Sequence, residues 1–438
     1  MSAGLEELLG KARKAADAAE VYWRRVSSTP VGFENNKLKE IQTNATFGVA
    51  LRVIKGGRIG FSTTNKEGDW DTLVDNAVAA SAYGAPASFE FAPASTPTGV
   101  DVYDADVVAL PVEDMVDTGR TIVEAVNAAD PQVLTGVEVS RAVREAGVMT
   151  TPGFSGTYRR TEYHVFVFAH LVEGQNMLDV YDGDGLTGLK LDTKGLTERV
   201  IHDLRLGRTN VPIKSGRFTA ILTPNAVADL LGPFQAGLDG KAVERGISPW
   251  RDKLGQPLFS PSFSLHDDTT LPGLASSAAF DDEGVPTRRT ALVDRGQLVS
   301  FYLDRRTAKA LGHKPTGNGW RHGLETPPAP SLGHWVVAPG RDSLASMIKG
   351  VRDGVLVDHL MGAWAGNLLA GEVNGNVMLG FKIENGELTG RVKDCMFSVN
   401  AFEALSRQII GFSKETKHSH IGTLPWLALD GVTISAKS

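Results

Sequence analysis

The chain has 438 residues, enough for two or three domains that each bury a core. It is 42% hydrophobic and 22% charged with a net charge of −6, an ordinary globular composition that speaks against a nucleic-acid surface, since phosphate binding needs a clustered positive field. Its one cysteine, Cys395, excludes an intramolecular disulfide and every multi-cysteine metal site. The 48 glycines point to many tight turns and hence to substantial β structure. No run approaches 18 apolar residues; the longest, Val165 to Val172, contains His170. The acidic N-terminus lacks an apolar segment and does not read as a signal peptide, so the expected setting is the cytoplasm, away from membranes.

Leu5, Leu8, Leu9, Ala12, Ala16 and Ala19 fall on one face of an opening helix. Val21 to Val26 reads as a strand, and Asn44 to Ile54 and Arg58 to Thr63 as a hairpin through Lys55-Gly56-Gly57. Asp69 is placed to cap a helix whose apolar stripe is Trp70, Leu73, Val74, Ala77 and Val78. The Ala/Pro/Ser-rich stretch from Ala85 to Pro97 reads as a linker and offers a subdivision near 85–110. Pro111 starts a further helix, and Val133 to Ala169 reads as a meander of strands. There His164 and His170 share a face, too far apart along the strand to hold one ion.

The polar stretch Leu204 to Ser215 sets the main boundary, giving an N-terminal α+β domain over 1–214 and a C-terminal domain over 215–438. Phe218 to Leu222 is a strand, and Thr223-Pro224 is a strong helix start, with Gly232-Pro233 bending or ending that helix. Between Ala279 and Arg321 turn chemistry is dense. Ala291–Val293 and Leu298–Tyr302 read as a hairpin, and Arg305 to Leu311 as a helix stopped by Gly312. Further on, Leu332 to Val337, Leu356 to Leu360, Val377 to Ile383, Glu387 to Val392 and Val432 to Ser435 read as strands, with helices after Ser343 and near Phe402. The fold class is therefore α+β, the C-terminal domain being a curved, largely antiparallel sheet with flanking helices.

Phe280-Asp281-Asp282-Glu283-Gly284, Pro286-Thr287-Arg288-Arg289, Gly296, Thr307-Ala308, Leu311-Gly312 and Thr316-Gly317-Asn318 together resemble the signature of the TldD/PmbA family, once called modulators of DNA gyrase. So do Gly48 to Val53 with Gly57 to Phe61, Gly371 to Asn374, and Ile383 to Glu387; the resemblance spans nearly the whole chain. It implies a heterodimeric zinc peptidase of a TldD and a TldE (PmbA) subunit. The catalytic subunit carries a His-Glu-x-x-x-His helix after a strand and a late cysteine between glycines. The equivalent segment here, Val227-Ala228-Asp229-Leu230-Leu231-Gly232-Pro233-Phe234-Gln235, has no histidine, no glutamate and no metal ligand beyond Asp229, and Cys395 lacks the glycine context. The resemblance is to the TldE/PmbA-type subunit. It implies no catalytic residue, metal or cofactor in this chain, zinc in a TldD-like partner, and a peptide or amide substrate.

Within the resemblance, Asp282, Glu283, Arg288, Arg289, Asn318, Arg321 and Asn374 are the candidates for lining a substrate cleft; guanidinium forks suit carboxylate or peptide-carbonyl recognition. The run Val373-Asn374-Gly375-Asn376 departs from the family's Asn-Pro-x-Thr-Gly-Asp pattern and reads as a shortened loop that has lost its acidic residue. Two other readings stay open: a stand-alone homodimeric binding or scaffold protein, and an amidase using residues such as Ser276, for which sequence assigns no general base. His418-Ser419-His420 reads as a polar surface loop.

Overall fold

The computed structural model describes residues 2–436. Up to residue 186 it is organised on one antiparallel sheet. The strands are β1 (Ala18–Glu34), β2 (Lys37–Ile41), β3 (Asn44–Lys55), β4 (Arg58–Thr64), β5 (Leu134–Thr150), β6 (Ser155–Glu173) and β7 (Asn176–Leu186). They lie in the order β4-β3-β1-β5-β6-β7, with β2 paired to the end of β1. Two helices, α1 (Ser2–Ala15) and α2 (Trp70–Ser81), bury Leu5, Leu8, Trp70 and Leu73 against Val21, Val49 and Leu51. The short α3 (Ala105–Ala109) and the longer α4 (Val112–Ala129) and α5 (Thr193–Gly207) cover β5 to β7.

The second sheet has eleven strands. They are β8 (Gly216–Leu222), β9 (Leu265–Asp267), β10 (Thr290–Asp294), β11 (Gln297–Leu298), then, after the separate pair β12 (Gly319–Trp320) and β13 (Ala329–Pro330), β14 (Trp335–Val337), β15 (Asp353–Met361), β16 (Glu372–Glu384), β17 (Glu387–Arg391), β18 (Cys395–Asn400), β19 (Ile409–Ser419) and β20 (Gly422–Ala436). All neighbours are antiparallel except β14–β20 and β15–β8. Because β8 pairs with both β15 and β20, the strands β8, β15, β16, β18 and β20 close into a ring. The helices α6 (Pro224–Leu230), α7 (Gly232–Leu238), α8 (Gly240–Glu244), α9 (Arg305–Leu311), α10 (Leu344–Lys349) and α11 (Ala401–Glu403) flank it. The chain is thus an α+β protein with an N-terminal and a C-terminal sheet. Among the described residues no helix is long and apolar enough to cross a membrane.

One apolar cluster joins the two sheets. Val165, Val167, Leu178 and Val180 of the first pack with Leu196, Val200 and Leu204 of α5 and with Ile221, Leu356, Leu379 and Phe381 of the second. The sequence reading assigns no helix at α5, whose last turn falls inside the stretch from Leu204 read as polar. Its actual start is fixed by Asp192, whose carboxylate accepts from Gly195 N. The run at Asn374 is not a loop. It lies inside β16, with Val373, Gly375 and Val377 buried and Asn374 opposite Ser398 of β18, because the alternation of apolar residues continues through it. The hairpin at 291–302 pairs for only two residue pairs, Val293 with Leu298 and Asp294 with Gln297.

Candidate functional site

A cavity of about 530 Å³ opens between the two sheets. One wall is the edge of the first sheet. Along β6 the residues Val165 and Val167 point into the core, so the alternate face carries Glu162, His164 and Phe166 to the cavity. Beside it β7, an edge strand, contributes Tyr181 and the run Asp182-Gly183-Asp184-Gly185. Each aspartate of that run accepts a 2.8 Å hydrogen bond from the N–H of the following glycine, which covers two backbone donors at the open edge. A side chain at Gly183 would come within 2.8 Å of the Phe166 ring, so glycine there lets the ring lie over the strand.

The opposite wall belongs to the second sheet. Thr223 caps α6, taking a bond from Ala226 N, and its hydroxyl donates to Asp358 Oδ1 at 2.7 Å. Pro224 at the first helical position completes this start. The helix buries Val227, Ala228, Leu230 and Leu231 and turns Asn225 and Asp229, one helical turn apart, to the cavity. His359 at the end of β15 stacks on Tyr181 with ring centroids 4.0 Å apart, and its Nε2 lies 3.5 Å from Asn225 Nδ2. The floor is closed by Ser276, by Gly333-His334, and by the turn His418-Ser419-His420-Ile421 between β19 and β20. Across Tyr181 and Asp182 lies a second cavity of about 630 Å³ with an apolar wall that includes Leu344, Ile348, Phe381 and Trp426.

The charges in the cavity are mostly neutralised. Glu162 accepts from Arg144 at 2.9 Å, and Asp182 from Arg199 at 2.8 Å and from Lys417. Burial works against the ionised form of Asp184, but the hydrogen bond with His418, 3.0 Å away, leaves its pKa below the usual range. Asp229 differs. Burial pushes it up to about 6, opposed only by the N–H of Leu360. His334 is held down at about 4 by burial and by His418, so it is neutral at pH 7. Its Nδ1 lies 2.7 Å from Ser276 Oγ and its Nε2 2.9 Å from Thr423 Oγ1. The structure thus supplies the base that sequence could not assign to Ser276, but an imidazole of such low basicity, backed by a hydroxyl and not a carboxylate, is a poor activator of serine. The pair is better suited to hydrogen-bonding a ligand.

A zinc ion does not fit these residues. The helix that follows β8 offers one carboxylate, and among the described residues no three His, Cys, Asp or Glu side chains are grouped to hold an ion. Cys395 is buried on β18, its thiol pushed up to about 11 by burial, far from the thiolate state that binds metals.

The residues singled out from sequence lie elsewhere, in four places. Asp282, Glu283 and Arg321 come together in a buried charge network with Glu20 and Arg52. Arg52 donates to Glu20 at 2.8 and 2.6 Å and to Glu283 at 3.0 Å, and Arg321 donates to Glu20 at 3.2 Å and to Asp282 through its backbone N–H at 2.8 Å. Asp282 also lines a cavity of about 260 Å³ that shares Ser276 and Gly333 with the large one. Asn318 is buried, its amide donating to Asp267 and to Ser331 O. Arg288 and Arg289 are exposed; the first donates to Pro315 O at 2.7 Å, and the second lies 3.3 Å from His266 Nε2. Asn374 sits within β16. Sequence reasoning noticed His164, Asp229, Ser276, His418 and His420 separately and missed Tyr181, Asp182, Asp184, His334 and His359. Nothing local in Asp-Gly-Asp-Gly or Gly-His distinguishes a cavity wall from a surface turn.

An α+β chain with two large sheets, a cavity between them and a Thr-Pro helix start facing that cavity defines a class of fold with known members. The family model described as the PmbA/TldA metallopeptidase C-terminal domain matches residues 215–436, and that for domain 1 of the same peptidases matches residues 19–81. The chain belongs to the PmbA/TldD metallopeptidase family. It is 27% identical over 389 residues to a metalloprotease of Methanothermobacter thermautotrophicus, covering 85% of this chain and 83% of that one. It is 25% identical over 415 residues to an uncharacterized protein of Methanocaldococcus jannaschii, covering 92% and 94%. Its fold is that of TldE from Thermococcus kodakarensis, with a TM-score of 0.93 at 22% identity over 99% of this chain and 100% of the other.

Proposed function

We propose that this chain is the metal-free, TldE-type subunit of a cytoplasmic heterodimeric zinc peptidase, and that its cavity helps to hold an unfolded or modified peptide, or an amide intermediate, for cleavage. The observation that carries the reading is α6: where a zinc helix would place its ligands, this helix buries Val227, Ala228, Leu230 and Leu231 and shows the cavity Asn225 and Asp229. In this reading zinc, which polarises an amide carbonyl and activates water, is supplied by the partner. This chain binds and orients. The free edge of β7 along the cavity suits an extended peptide, whose backbone can replace the Asp182 and Asp184 side chains on the N–H groups of Gly183 and Gly185.

The test is co-expression with a family member that carries His-Glu-x-x-x-His. A stable one-to-one complex on size exclusion, with about one zinc per complex and none in this chain alone after dialysis against a mild chelator, is the expected result. Cleavage of an unfolded peptide should require both chains. About one zinc per isolated chain would overturn the reading. A homodimer that ignores the second chain and cleaves nothing would favour the stand-alone binding protein.

A further inference from the structure

Within the large cavity Asp229 stands alone electrostatically. The other carboxylates of the lining, Glu162, Asp182 and Asp184, each have a cationic or imidazole partner within 3.0 Å or closer. Among the described residues no lysine or arginine lines the cavity. Asp229 meets a single backbone N–H, from Leu360, and sits where burial disfavours its charge. An uncompensated carboxylate in a recess is costly to the folded state and is relieved when a cation arrives. The ring of Tyr181, stacked on His359 and 6.0 Å from Phe166, lines the same cavity with a π surface that favours a cation further. A metal ion is not that cation, since among the described residues no three His, Cys, Asp or Glu side chains are grouped to coordinate one.

We propose that the cavity recognises a primary ammonium group, with Asp229 as its counter-ion and Tyr181 as its aromatic wall, and that the group is the free α-ammonium of the peptide. This rests on the peptide-holding role proposed above and adds to it a preference for one end of the chain. The alternative source of the same chemistry is a lysine side chain within a peptide.

Three octapeptides of otherwise one sequence separate these cases when titrated calorimetrically into the purified full chain at pH 7.0, where the α-amine is largely protonated. The first has a free N-terminus and no lysine, the second is Nα-acetylated, and the third is Nα-acetylated with one internal lysine. Acetylation is expected to weaken binding tenfold or more, the internal lysine to restore little of it, and Asp229→Asn to remove the difference between the first two. Asp229→Ser, with melting curves for both variants, guards against misfolding. Full recovery by the third peptide would move the assignment from the α-ammonium to lysine and overturn the proposal as stated. Equal binding of all three, or a preference that survives in both variants, would overturn it while leaving the peptide-holding role in place. Binding of none, alone or with the zinc-bearing partner, would remove both.

Discussion

At position 229 a carboxylate stands in a recess with one backbone N–H for company, and burial lifts its pKa to about 6. The unfolded value is near 4, so the folded state holds this proton more tightly than the unfolded state does. The stabilising contribution of the neutral carboxyl is therefore fully present below about pH 4 and is lost as pH rises through about 6. A shift of that size corresponds to about 3 kcal/mol, and since the cavity opens to solvent we discount it to about 2 kcal/mol. Asp229→Asn escapes the loss. Relative to the wild type it is expected to be more stable by roughly that amount at pH 7.5 and nearly equal at pH 4, measured by urea unfolding at both pH values. An equal effect at both would show that the shift is not electrostatic in origin. A residue that costs stability at neutral pH is one that function can explain, and the ammonium recognition proposed for Asp229 is such a function. At this scale sequence showed which ligands were absent. It could not show where charges go: Asp281-Asp282-Glu283-Gly284 has the composition of a surface turn, yet Asp281 and Glu283 are buried, because their partners come from elsewhere in the chain.

Elements with their own punctuation were legible. Thr223 and Pro224 begin α6, Asp304 and Gly312 bound α9, and Ser343 caps α10, each through a side chain or backbone geometry that acts within four residues. β7 was not legible as a strand, since Asp-Gly-Asp-Gly has low strand preference and is held by pairing with β6. Of the strands at the cavity floor, β14 was legible within Leu332 to Val337, and β20 only in its last residues, Val432 to Ser435. β14 and β20 run parallel there, with Trp335 opposite Gly422, and a side chain on Gly422 would stand 1.8 Å from Trp335 O. Backbone cannot yield as a side-chain tip can. Gly422→Ala is expected to destabilise the protein by on the order of 3 kcal/mol and to weaken peptide binding, because His334 and the 418–421 turn flank the junction. Gly411→Ala, in β19 with no atom within 4 Å of the added carbon, is the control and should shift stability by no more than about 0.5 kcal/mol. Equal melting temperatures for the two variants would show that the junction adjusts without cost.

The whole molecule depends on contacts between residues hundreds of positions apart, and local patterns carry none of these. The ring closes only because β8 meets β20. The sheets share an apolar cluster through α5. A second tie is electrostatic: Arg52 on β3 bonds Glu20 on β1 and reaches across to Glu283, while Arg321 reaches back to Glu20. Burial alone would lower the pKa of Arg52, but Glu20 and Glu283 hold it protonated above its usual range; Arg321 is lowered by burial and by Arg52. Such a network need not add net stability over apolar packing, but opening it leaves a buried charge without a partner, at about 3 to 5 kcal/mol. Arg52→Met is therefore expected to destabilise by that amount. In a double-mutant cycle, Arg52→Met and Glu283→Gln should couple by more than about 1 kcal/mol, since the second change removes the charge that the first leaves stranded. The exposed pair Arg407–Glu403, 2.6 Å apart, should couple by only about 0.5 kcal/mol or less in the same experiment. If the network ties the sheets together, Arg52→Met should also separate their unfolding, so that tryptophan fluorescence and far-ultraviolet circular dichroism no longer give coincident urea transitions. Coincident transitions combined with additive single effects would assign the joint between the sheets to the apolar cluster alone.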